Sequence, residues 1–218
     1  MNGYMKPQDI EKRSFEIITA ELGERTFPAG IAEVVKRVIH TTADFDYADS
    51  LAFSPDVIEK AKAALAAGAT VVTDTNMALS GVSKVTLAKL GGKAVCLMAD
   101  EQVASEAKAR GVTRAVVSME HAAKFEGPLL FAIGNAPTAL IRLHELIEEG
   151  IVAPALVIGV PVGFVNVVEA KEEVLARSVP AIGGDTPYII ARGRKGGSNV
   201  AASIVNALLY QMVHREGF

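Results

Sequence analysis

A histidine that ends an apolar helical run is the residue in this chain best suited to chemistry. In Arg37-Val38-Ile39-His40-Thr41-Thr42-Ala43-Asp44-Phe45-Asp46 the imidazole is followed by hydroxyls and carboxylates. An unperturbed imidazole titrates at about 6.5, so His40 can give or take a proton near neutral pH, where ordinary carboxylates and amines need heavy perturbation to do so. The position also suits a cap, because the helix dipole favours a histidine near a C-terminus. Acid/base group and helix cap are both open readings of these residues.

Loops able to hold anions accompany it. Gly193-Arg194-Lys195-Gly196-Gly197-Ser198-Asn199 precedes an apolar helical run, which brings backbone N–H groups, a helix N-terminus and two cations together. Neither the GxGxxG nor the GxxxxGKS/T order is present and no acidic ribose partner follows, which argues against a nucleotide cofactor. A substrate carboxylate would be held equally well there, and a solvated turn is the plain alternative. Gly134-Asn135-Ala136-Pro137-Thr138 joins a glycine turn, an Asn cap and a first-turn proline, which is enough to start a helix. The same geometry points unpaired N–H groups at a cleft.

Other reactive residues offer less. Asp74, in Asp74-Thr75-Asn76-Met77-Ala78-Leu79-Ser80-Gly81, has no histidine or second carboxylate at ligand spacing, so a metal site is not expected. His121, His144 and His214 are isolated on helical faces expected to be exposed. No Ser/His/Asp or Cys/His pattern is legible, and Cys96 lies in the apolar run Ala94-Val95-Cys96-Leu97-Met98, expected to be a buried strand. The residues support a single-proton catalyst of an acidic substrate, with no machinery for an organic or redox cofactor.

Composition limits the setting. With 218 residues, 50% hydrophobic and 22% charged, the chain suits one sizeable core, so a single domain over 1–218 is expected. A net charge of -3 provides no field to attract nucleic acid or an anionic membrane, so an anionic ligand must be met by a local cluster. One cysteine cannot form an internal disulfide, residues 1–8 carry no apolar signal core, and no apolar stretch reaches the ~18 residues that span a bilayer. A soluble, cytoplasmic protein with neither nucleic-acid nor membrane partner is expected.

The elements that must position these groups follow from periodicity. Pro7 and Asp9 open a helix through Leu22, with Ile10, Ile17, Ile18 and Leu22 on its apolar stripe. A second helix runs from about Ala29 to His40, and Ser54-Pro55-Asp56 reads as a cap and first-turn proline for a third, ended by Gly68. β-rich runs at 70–73, 94–98, 114–117, 129–133 and 155–158 alternate with helical segments such as 101–110 and 137–149, and an apolar helix occupies about 200–213. The alternation predicts an α/β fold: a three-layer α/β/α arrangement with a mainly parallel, Rossmann-like central sheet. Such a sheet leaves the loops after its carboxyl ends as the place for chemistry.

Several tracts in one order carry a resemblance. Glu11-Lys12-Arg13-Ser14-Phe15, the Arg37 to Asp44 run, Thr73 to Gly81, Gly134 to Leu140, Gly159-Val160-Pro161-Val162-Gly163-Phe164-Val165 with Glu169 and Lys171, and Gly193 to Ala201 resemble the precorrin-8 methylmutases of cobalamin biosynthesis. The likeness spans nearly the whole chain. It implies an isomerase that moves a methyl group from C-11 to C-12 of a tetrapyrrole, formally a [1,5]-sigmatropic shift giving the cobyrinic acid chromophore, with no methyl donor and no cofactor.

The resemblance places the catalytic histidine at His40 and the substrate-contacting serine and arginine at Ser14 and Arg37. Lys84, on the helix after Gly81, is a further candidate for a carboxylate. Cobalt would be carried by the substrate, and the tracts resemble the cobalt-precorrin-8 branch more than the metal-free one. The family also implies a homodimer. Two rival functions are a carrier for an acidic tetrapyrrole, which needs the basic loops and no proton donor, and a nucleotide-dependent reductase, which would bind NAD(P)H.

Overall fold

Alternation along the strands decides the layers. The computed structural model describes residues 6–177 and 186–213, and its six strands form one sheet: β1 (Leu51–Phe53), β2 (Thr70–Thr73), β3 (Lys93–Cys96), β4 (Leu129–Ile133), β5 (Leu156–Gly159) and β6 (Tyr188–Ala191). Their order is β1-β6-β5-β4-β2-β3, parallel except for β1, which runs antiparallel to β6. Successive strand residues face opposite ways. Leu130, Ala132, Leu156, Ile158 and Ile189 therefore enter one core, and Phe131, Ile133, Val157 and Ile190 the other.

Helices cover both faces, as the α/β/α expectation required. On the first lie α2 (Ile31–Thr42), α4 (Val57–Ala66) and α11 (Ser198–Tyr210); on the second lie α8 (Arg114–Ala122), α9 (Pro137–Glu148) and α10 (Val167–Arg177). Helices α3 (Tyr47–Ser50), α5 (Asn76–Gly81), α6 (Lys84–Lys89) and α7 (Glu101–Arg110) complete the connections. Val200, Ala201, Ile204, Val205, Leu208 and Leu209 of α11 are fully buried, so this helix is core, with α2 packed on it. Outermost on that side, α1 (Pro7–Leu22) packs on α2.

Several sequence expectations need correction. Residues 114–117 are not a strand but the first turns of α8, where the Thr113 hydroxyl accepts the Val116 N–H at 3.3 Å and Ala115, Val117 and Met119 are buried. A short apolar run has no periodicity that separates a strand from a buried helix, and the cap decides. Ser54 does not cap α4: its hydroxyl accepts the Tyr188 N–H at 2.9 Å, while Asp56, at φ 56°, turns the chain into the helix. Strands β1 and β6, absent from the sequence reading, pair with each other at one side of the sheet. Cys96 is half-buried, because β3 is an edge strand with a partner on one side only. On α1, Ile10 and Ile17 are exposed at 51% and 43% while Ile18 and Leu22 are buried, so the inward stripe is Glu11, Phe15, Ile18 and Leu22.

Candidate functional site

The strand order reverses between β2 and β4, and in an open parallel sheet the crevice beyond such a point is the usual ligand site. Here a side chain of the protein fills it. Asp74, the residue after β2, accepts the N–H of Gly134 at 2.9 Å on Oδ1 and those of Asn135 and Ala136 at 2.8 and 2.6 Å on Oδ2. The amides expected to face a cleft are thus taken by an internal carboxylate. Burial raises the Asp74 carboxyl above its ordinary value, and the three amides act against that rise. Gly134 also abuts the start of α11, since a Cβ there would stand 2.7 Å from the Gly197 carbonyl oxygen.

The open cavity lies instead among the helices of the first face. A cleft of about 570 Å³ is lined by Ile10 and Glu11 from α1, Arg37, His40 and Thr41 from α2, Gly81 from α5, and Asn199, Ala202, Ser203, Asn206 and Tyr210 from α11. The residues from α2 and from α11 are spaced three or four apart, so each set shares one face of its helix. The α5 side is fixed by Asn206, which accepts the Ser83 N–H and donates to the Gly81 carbonyl oxygen, both at 2.8 Å. Gly81 has no side chain where one is excluded, because a Cβ would meet that of Ala202 at 2.8 Å.

His40 and Arg37 share this cleft. One face of the imidazole stacks on Phe15, with centroids 5.2 Å apart and planes 8° from parallel, while the side chain remains exposed. Among the described residues neither ring nitrogen has a hydrogen-bond partner. The Arg37 guanidinium lies 4.7 Å from the Phe15 ring centroid and 5.2 Å from that of Tyr210, and its Nη1 donates to Glu11 Oε1 at 2.5 Å. Partial burial and then Arg37 lower the His40 pKa below 6.5, while Glu11 acts to raise it. At pH 7 the ring is therefore mostly neutral.

The end of α2 is tied down. Ala43 takes a left-handed conformation at φ 53°, and beyond it Asp44 and Asp46 each accept from Lys195 Nζ at 2.6 Å. Lys195 holds the Asp44 carboxyl below its usual range, and its own ammonium is raised in return. This cation of the glycine-rich loop is thus engaged by the protein's own acids rather than open to a ligand. The loop is also held from below by Lys171, which is fully buried and donates to the carbonyl oxygens of Gly193 and Lys195 at 2.8 and 2.9 Å. Burial lowers its pKa to about 8. Arg194 lies 5.5 Å from the exposed Phe164 ring.

The remaining sequence candidates divide. Ser14, on α1 one turn from Glu11, donates its hydroxyl to the Ile10 carbonyl oxygen at 2.8 Å, and it is not among the residues lining the cleft. Lys84 is exposed at the start of α6 and is likewise not among them. His144 is not exposed but buried on α9, 3.7 Å from the Glu148 carboxylate, and His121 pairs with Glu106 at 2.8 Å. His214 lies outside the described residues. Among the described residues no cluster of His, Cys, Asp or Glu could hold a metal ion, and no helix is long and apolar enough to cross a membrane.

Sequence reasoning missed the roles of Glu11, Phe15 and Tyr210 around Arg37, and of Asp74 and Lys171 in closing loops. A signal existed for Glu11: it is the one charge on the Glu11, Phe15, Ile18, Leu22 stripe. Asp74 and Lys171 had none, because their partners are backbone groups 60 and 22 residues away.

Comparisons with known proteins agree over more than nine-tenths of the chain. The model of the precorrin-8X methylmutase family matches residues 9–211. A cobalt-precorrin-8 methylmutase of Priestia megaterium is 44% identical over 94% of this chain and 88% of its own length. The precorrin-8X methylmutase of Pseudomonas aeruginosa is 40% identical over 92% and 94%. A crystal structure of the precorrin-8x methyl mutase of Thermus thermophilus superposes with a TM-score of 0.83 at 38% identity, covering 93% of this chain and 94% of that one.

Proposed function

From the premise that the chain belongs to the precorrin-8X methylmutase family, we propose that it isomerises a precorrin-8 tetrapyrrole, moving a methyl group from C-11 to C-12. The observation that carries the site assignment is the cleft in which His40 and Arg37 stand one helical turn apart. The migration is formally a [1,5]-sigmatropic shift within the conjugated ring, so the product has the atoms of the substrate and no methyl donor or redox partner enters. What the protein must supply is orientation and a proton.

His40 is the proton donor. Protonating the macrocycle, or giving it a strong hydrogen bond, redistributes its electrons as the methyl moves, and the proton returns to the ring nitrogen afterwards. A positioned general acid contributes about 10²- to 10⁴-fold in rate. His40, mostly neutral on its own, becomes an acid once anionic arms of the substrate lie beside it, because nearby negative charge favours the imidazolium. Arg37 receives one carboxylate arm along an edge of its planar fork, a geometry that lysine would not reproduce. Ser14 and Lys84 contribute from outside the cleft, a hydroxyl on α1 and an ammonium at its α6 side, and reach only the periphery of a ligand that extends beyond the walls.

Cobalt, if present, travels in the substrate, held by its pyrrole nitrogens; no cofactor of the protein takes part. The cobalt-bearing substrate is favoured by relatives such as the cobalt-precorrin-8 methylmutases of Priestia megaterium and Salmonella typhimurium, each 44% identical to the chain. A cytoplasmic homodimer completes the reading, its mass measurable by light scattering. The decisive experiment incubates the purified protein separately with precorrin-8 and cobalt-precorrin-8 and follows the visible spectrum. Conversion to the corrin chromophore is expected, faster with cobalt. A binding shift without conversion would make the protein a carrier, and no change with either substrate would end the proposal.

A further inference from the structure

Arg37 is not waiting empty for its ligand. Glu11 crosses from α1 to bond its Nη1, and the two side chains are only 19% and 18% exposed. A carboxylate lining a cleft meant for a polyanionic substrate is out of place unless it has a task there. It stands against the cation assigned to a substrate carboxylate, and it is the same functional group.

We propose that Glu11 is a positioning residue that stands in for a substrate carboxylate on Arg37 before the substrate binds and gives way when it does. This rests on the methylmutase reading. Three features support it. The phenyl ring of Phe15 and the phenol of Tyr210 lie against the guanidinium, so Arg37 keeps its place when the partner at its edge changes. Glu11 sits on the outermost helix, which packs on α2, so its side chain can turn off the guanidinium while α1 keeps it at the cleft wall near His40. Exchange of one carboxylate for another keeps Arg37 neutralised at every stage, and leaves both acids near His40 in the complex.

The exchange couples binding to proton uptake. Facing His40 are Glu11 from α1 and Arg37 from α2, while α11 presents uncharged side chains to the cleft, Tyr210 being the titratable one; Asp44, one turn beyond His40, is held by Lys195. Arg37 and Glu11 pull the imidazole in opposite directions. Adding a second carboxylate tips the balance toward the charged ring, so the acid is made when a substrate is present to use it.

The test uses the Glu11→Gln variant of the full chain with two readouts. In the free protein the His40 titration is followed by NMR of its ring; the variant is expected to titrate at lower pH, because Arg37 then acts unopposed. Binding of two probes is followed by absorbance: cobyrinic acid, with free acid arms, and the same corrinoid with its arms amidated. Loss of an internal competitor should tighten the acid about five-fold, the scale of a modest ion pair, and leave the amide unchanged. Weaker binding of the acid, or equal changes for acid and amide, would overturn the stand-in role. If the wild-type protein binds neither probe, the methylmutase reading falls and the stand-in role with it; a lower His40 midpoint without selective tightening likewise refutes the exchange.

Discussion

Replacing Asp74 by Asn asks whether the crevice beyond β2 and β4 is held shut by a charge. The carboxylate accepts three backbone N–H groups, at 2.9, 2.8 and 2.6 Å. Asparagine keeps one oxygen, so its best orientation serves Asn135 and Ala136 and turns an NH₂ group toward the N–H of Gly134. Two bonds then fall from about 2 to about 1 kcal/mol each, and the stranded Gly134 donor costs about 2 kcal/mol more. Burying an amide in place of a charge returns roughly 1 to 2 kcal/mol. The net loss is about 2.5 kcal/mol, and with a urea m-value of about 2.5 kcal/mol/M for a domain of this size the unfolding midpoint should fall by ~1 M. Circular dichroism of both proteins in urea at pH 7 measures it. The three amides favour the charged form and burial opposes it. A midpoint within ~0.2 M of wild type would mean that burial, not the amides, governs Asp74, and the argument would fail.

Other expectations follow from the same geometry. His40→Ala should reduce turnover by about 10²- to 10⁴-fold in the spectral assay, and conversion at the wild-type rate would remove His40 from the mechanism. Arg37→Leu should raise KM by roughly 10- to 100-fold, the worth of a charge-assisted hydrogen bond, with a smaller effect on kcat; the reverse pattern refutes the clamp. Because His40 titrates below 6.5 in the folded chain, its contribution to stability is complete above that value and lost as pH falls through the folded value. Thermal unfolding of His40→Gln from pH 7 to 5 should be correspondingly flatter than that of wild type. Lys171→Met should lower stability by about 2 to 4 kcal/mol in urea, since it strands the buried carbonyl oxygens of Gly193 and Lys195.

The sequence by itself determined the fold class and the family. Apolar strands without polar alternation, at 70–73, 129–133 and 155–158, require helices on both sides whatever the details, because both faces of each strand must leave water. The stripe Val34, Val35, Val38 and Ile39 fixes which side of α2 is buried, and so turns Arg37, His40 and Thr41 together to the other side. Local patterns of this kind need only neighbours three or four residues away.

Only the tertiary structure decided where the cavity lies and which charges are already engaged. The parallel sheet pointed to the loops beyond its strands, yet Asp74 closes that crevice with amides 60 to 62 residues away, and the cleft opens among α1, α2, α5 and α11. Lys195 reads as an anion site in sequence and proves to be locked to Asp44 and Asp46, about 150 residues upstream. Arg37 finds its carboxylate on another helix. Electrostatic partnership depends on distance in space, and the chain order that sets hydrophobic periodicity does not encode that distance.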